Sequence, residues 1–175
     1  AAGIGEIGSA EDADALVALL GTADPALANA ARMSLIKLAD PKVDGRIVRA
    51  LGKRALGPEA ATRLLAVATF RRAPKSGSAI TPYLADESPA VRTAAFTALT
   101  DLAQPEQLAP LTAAVCKAAD AAEKRAAEKA LFATSRRHPV PAAAAIRAAF
   151  APADPERRSL LLRALGIAGA DEGLP

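Results

Sequence analysis

The chain has 175 residues, the size of one ordinary domain, and 48 of them are alanine and 21 leucine, against no Trp, one Tyr, four Phe, one Met and one Cys. Lysine and arginine number 22 and aspartate and glutamate 19, a formal net charge of +3. One cysteine (Cys116) and one histidine (His138) exclude an intrachain disulfide, a cysteine-based metal cluster and a multi-histidine metal site. The longest apolar run, Ala142–Ala151, is interrupted by Arg147 and falls short of the ~20 residues of a membrane span. Alanine is the best helix former and lets helices approach closely, while the β-branched and aromatic residues that build strands are scarce. The composition predicts an all-α protein.

The prolines supply the period. Pro25, Pro58, Pro89 and Pro155 are separated by 33, 31 and 66 residues, and Pro41, Pro74 and Pro105 follow the first three at a constant 16. A period of 31–33 residues predicts stacked supersecondary units, about five antiparallel helix pairs in all. In chain order, residues 1–9 read as the end of a preceding repeat, because Gly5-Glu6-Ile7-Gly8-Ser9 matches Gly166-Ile167-Ala168-Gly169-Ala170. The same match explains Gly3-Ile4-Gly5-Glu6-Ile7-Gly8, a G-x-G-x-x-G string with no room for the strand that a dinucleotide site needs.

Repeat 10–40 holds a first helix at Asp12–Leu20 and a second opening at Asp24-Pro25, with Leu27, Ala30, Ala31, Ser34, Leu35 and Leu38 at buried helical spacing. Repeat 41–73 pairs Val43–Leu56 with a helix opening at Gly57-Pro58. Repeat 74–104 begins in the loop-like Pro74-Lys75-Ser76-Gly77-Ser78, continues through the short Ala79–Ala85 with its internal Pro82, and opens its second helix at Ser88-Pro89. Repeats 105–136 and 137–170 pair Glu106–Ala119 and Val140–Ala151 with helices that open at Asp120 and at Asp154-Pro155. Residues 171–175 read as the start of another unit, so the sequence is taken as an excerpt of a longer array. Asp, Ser and Gly before these helices are N-cap residues, and Pro at the first helical position gives up an N–H that has no partner there.

Ser88-Pro89-Ala90-Val91-Arg92-Thr93-Ala94-Ala95-Phe96-Thr97-Ala98-Leu99, with Asp24-Pro25-Ala26-Leu27 and Asp154-Pro155-Glu156-Arg157-Arg158, resembles the second helix of a HEAT repeat. The resemblance covers essentially the whole chain. It departs at Ala28 and Ala61, which stand at the family's arginine position. It implies an α-solenoid whose second helices line a concave face, which in most such arrays binds another protein. About five units at the ~8–10 Å of helix packing make a rod about 50 Å long, and no catalysis, cofactor or metal is expected. Some HEAT-like solenoids are alkylated-DNA glycosylases, but the aromatic residues such enzymes rely on are reduced here to Tyr83 and four Phe.

Charge is uneven along the chain. Residues 1–41 carry two basic and six acidic side chains, residues 42–75 nine basic and two acidic, and residues 76–175 eleven of each. The candidate binding residues are therefore Arg46, Arg49, Lys53, Arg71, Arg72 and Lys75, the first three at helical spacing on one face. Such a surface attracts an acidic protein or, as the alternative, nucleic acid or another phosphate bearer; a solvated solenoid edge is the competing structural reading. Arg92, Lys124, Arg125, Arg157 and Arg158 recur at the first turns of second helices, with acids at Asp86, Glu87, Asp120, Glu123, Asp154 and Glu156 to pair with them. Phe70, Phe96, Phe132 and Phe150 are expected to anchor the core, and Cys116 to be a small buried thiol.

Overall fold

The computed structural model describes residues 9–73 and 75–169; Pro74, the Gly3–Gly8 string and the repeat ends at 1–8 and 170–175 lie outside them. The described residues form ten α-helices and two short 3-10 helices joined by turns, with no strand among them. None of these helices is long and apolar enough to cross a membrane.

The chain forms two compact units, 1–80 and 81–175, and the division falls inside the short first helix of repeat 74–104. The first unit contains α1 (Asp12–Leu19), α2 (Pro25–Lys37), α3 (Lys42–Lys53), α4 (Pro58–Arg71) and α5 (Ser76–Ile80). Here α1 packs on α2 and α3 on α4, while α3 also touches α1 and α5, and α4 touches α2. Its core is aliphatic: Leu16, Leu20, Leu35, Leu38, Ile47, Leu51, Leu64, Leu65 and Ile80 are all fully buried.

The second unit opens with a 3-10 turn at Thr81–Ala85 and continues through α6 (Pro89–Leu102), a 3-10 turn at Pro105–Gln107, α7 (Leu108–Val115), α8 (Ala121–Arg137), α9 (Pro139–Phe150) and α10 (Pro155–Ile167). In it α8 packs against both α6 and α10, and α7 touches the opening turn and α9. Tyr83, Phe96 and Leu99 are the large buried side chains at its start.

The helix starts follow from their caps. The carboxylates of Asp24, Asp120 and Asp154 accept from the backbone N–H groups of Ala26, Glu123 and Arg157 at 2.8–2.9 Å. Ser88 and Gly57 hold the same position in extended conformation without a side-chain bond. Three expectations need correction. Residues 76–78 are not a loop: Ser76 starts α5, buried, with its hydroxyl donating to Ala73 O at 2.7 Å. The α-form then gives way to 3-10 at Thr81, beside Pro82, which has no N–H for an α-type bond. Of the four phenylalanines only Phe96 is fully buried; Phe70 is 69% exposed near the end of α4.

Two helix C-termini are closed by an arginine that ends a later helix. Arg71, ending α4, donates to the carbonyls of Leu35 at 3.0 Å and Leu38 at 2.5 Å, which α2 leaves unbonded, and its Nε donates to Asp44 at 2.6 Å. Arg137, ending α8, does the same to Thr100 O and Ala103 O at the end of α6. Replacing Arg71 with Ala uncovers these carbonyls and strands a part-buried Asp44, so we expect a loss of about 3 kcal/mol, half of it or less recovered by Arg71→Lys, which lacks the forked donor. Urea unfolding midpoints of the two variants check this.

Candidate functional surfaces

The expected basic surface divides on inspection. Helix α3 buries Val43, Ile47 and Leu51. Lys42, Arg46, Arg49 and Lys53, spaced four, three and four apart, then fall within about 60° of one another around its axis. Lys42, Arg49 and Lys53 are exposed. Arg46 is half-buried, and its Nη1 meets Asp14 of α1 at 2.5 Å. Arg71 does not share this surface: its side chain is 9% exposed and its charge is spent on Asp44 and the α2 carbonyls. Arg72 and Lys75 are exposed and adopt left-handed backbone, with φ of 49° and 61°. Arg54, at the end of α3, is the third such residue, with φ 50°. A non-glycine residue costs about 1 kcal/mol there, partly offset because a cation suits a helix C-terminus.

Gly45 and Gly52 lie inside α3 with nothing within 4 Å of where a Cβ would stand. Neither glycine is demanded by packing or by φ. Gly45→Ala and Gly52→Ala should each stabilise the protein by about 0.5–1 kcal/mol, read as a raised unfolding midpoint.

In the second unit three of the five recurrent cations, Arg92, Lys124 and Arg157, find acids that the sequence offers. Arg92 makes a bidentate pair with Glu123, at 2.7 and 3.0 Å, and also donates to Asp86 O and Glu87 O. Lys124 meets Glu156 at 3.2 Å, Arg157 pairs with Asp154, and Arg163 meets Glu128 at 2.9 Å. Arg158 closes the end of α9 through Phe150 O and Ala151 O. Arg125 and Arg136 are left exposed with Lys129, and among the described residues none of the three forms an ion pair. With Phe132 they line one face of α8, again at four-, three- and four-residue spacing, and border an open depression of about 500 Å³. The charge count for residues 76–175 hid this stripe, because acids that balance it in number are engaged elsewhere in space. The helical spacing itself was there to be read.

A second hollow, of about 630 Å³, is floored by alanines of α7 and α9, with Cys116, Lys117, Asp154 and Arg157 at its edge. Burial pushes the Cys116 thiol up from its ordinary value, with Arg157 opposing, so it stays protonated at neutral pH and is a poor nucleophile. His138 sits at the junction of α8 and α9, its Nε2 buried without a partner among the described residues.

The Arg92 guanidinium holds the Glu123 carboxyl below its ordinary value of 4.5, and Ala119 N–H adds to the effect. The resulting stabilisation is complete above that ordinary value and is lost as pH falls through the lowered one. Glu123→Gln should therefore flatten the acid limb of the stability curve below about pH 4.5 while lowering stability at pH 7 by about 1–3 kcal/mol. Denaturant titrations at several pH values check both effects.

No family model, curated protein or solved structure matches the chain.

Proposed function

We propose that the chain is a HEAT-like helical-repeat scaffold, without catalytic activity, that presents the solvent faces of its second helices to another protein. The observation that carries the reading is the repeated arginine cap. Arg71 and Arg137 stand 66 positions apart, two periods, and each reaches back to the second helix one repeat earlier in its own unit. Contacts within each unit also run first helix to first helix and second to second, the neighbour pattern of stacked repeats. A rigid face of this kind loses little entropy when a partner lands on it.

Small-angle scattering should give a curved rod about 50 Å long; a globular profile overturns the stacked arrangement. For the function, a captured protein partner should be retained by a variant with Arg46, Arg49 and Lys53 reversed to Glu, and lost on reversing exposed charges of α8. The opposite pattern moves the interface to α3.

A second reading, nucleic-acid or phosphate binding through repeat 42–75, is favoured by the left-handed Arg72 and Lys75, where glycine would sit without strain. It requires a labelled DNA duplex to bind with a steep salt dependence, and the triple reversal on α3 to abolish that binding. Arg72→Gly should then raise stability by about 0.5–1 kcal/mol while weakening the complex. Absence of duplex binding at low salt removes this reading.

A further inference from the structure

We infer that the face of α8 formed by Arg125, Lys129, Phe132 and Arg136 is a docking site for an acidic peptide segment carrying one apolar anchor residue. The inference rests on the scaffold reading above and names the chemistry of the partner.

Charge complementarity sets the first half of the ligand. In a unit where acids meet Arg92, Lys124, Arg157 and Arg163, these three exposed cations have no ion pair among the described residues, and they share one stripe. Glu128, the acid in the same wall, is held by Arg163 at 2.9 Å and does not neutralise the stripe. Carboxylates are the side chains such a row receives, and both Arg125 and Arg136 can take one in a forked, two-bond geometry.

Phe132 sets the second half. It stands between Lys129 and Arg136 in the stripe, half-buried, and with Ala133 it gives the depression an apolar patch. The Arg163 guanidinium lies over its ring, 5.5 Å from the centroid, and Arg163 is not part of the depression's wall. The ring is thus fixed from the α10 side and meets the depression elsewhere. A side chain of the partner that reaches this patch leaves water, while the flanking carboxylates settle on the cations. This arrangement disfavours single-stranded nucleic acid, which binds by stacking successive bases on successive aromatic faces. The depression has one aromatic ring, and a guanidinium already covers it.

The probe is a labelled peptide with glutamates in the spacing of the three cations and a leucine placed to meet Phe132, titrated by fluorescence anisotropy against the full chain. We expect saturable binding that weakens with salt. Joint reversal of Arg125 and Lys129 to Glu should weaken it at least tenfold. Phe132→Ala should weaken it several-fold, as should replacing the peptide's leucine with serine, a change that leaves the protein untouched. The reversal of Arg46, Arg49 and Lys53 should have no effect. Circular dichroism keeps a folding defect apart from lost binding. If the peptide binds and only the α3 reversal abolishes it, the α8 site is wrong while the scaffold reading stands. If the peptide does not bind, or binds equally well after the α8 reversal, the site is overturned. If a single-stranded oligonucleotide binds in the peptide's place and the α8 reversal abolishes it, the protein-scaffold reading falls as well.

Discussion

Every helix leaves its last carbonyls without intrahelical partners, and each one left buried and unbonded costs about 1–3 kcal/mol. The protein answers with arginine. Arg71 covers the end of α2, Arg137 the end of α6, Arg158 the end of α9, and Arg63 donates to Leu20 O just past the end of α1. A guanidinium suits the task because it carries several donors in one plane, stays charged at any ordinary pH, and lays an apolar stem over the helix on the way. The helices are joined end to side as well as face to face.

This use of charge governs what is left for recognition. Arg71, which closes a helix, is withdrawn from solvent despite the local excess of positive charge in the sequence. Under the proposed scaffold role, the cations open to a partner are those with no carbonyl or acid partner among the described residues. On α3 these are Lys42, Arg49 and Lys53, and on α8 they are Arg125, Lys129 and Arg136. Each set lies on a single helical stripe, but only the one on α8 encloses an aromatic ring.

The all-helical class, the proline-marked starts and the aspartate caps could be read from the residues because each is set by interactions within a few positions. The acids for Arg92 and Lys124 were also legible, since a 31–33-residue period places Glu123 and Glu156 one repeat away. What stayed hidden depends on distant geometry. Nothing near Arg71 in sequence announces the α2 carbonyls. Phe70 looks like any core aromatic until α4 turns it outward. Ser76–Ser78 reads as a loop by composition, yet burial of Ser76 and Gly77 makes it a helix. The α8 stripe was obscured for a different reason: net charge sums over a segment and discards direction.

Alanine as the packing residue has a mechanical consequence. Helices α6 and α8 bury Ala95, Ala98, Ala127 and Ala130, each with essentially no exposure. A methyl group has no rotamers to rearrange, so this part of the unit holds no slack that a larger side chain could occupy. An added methylene there strains the packing and pushes the helices apart. Because α8 is flanked by α6 on one side and α10 on the other, a wedge on one side re-aims the helix that carries the stripe. Substitutions deep in the alanine layer therefore act as steering changes on the surface above, altering how the stripe is aimed without touching any of its residues.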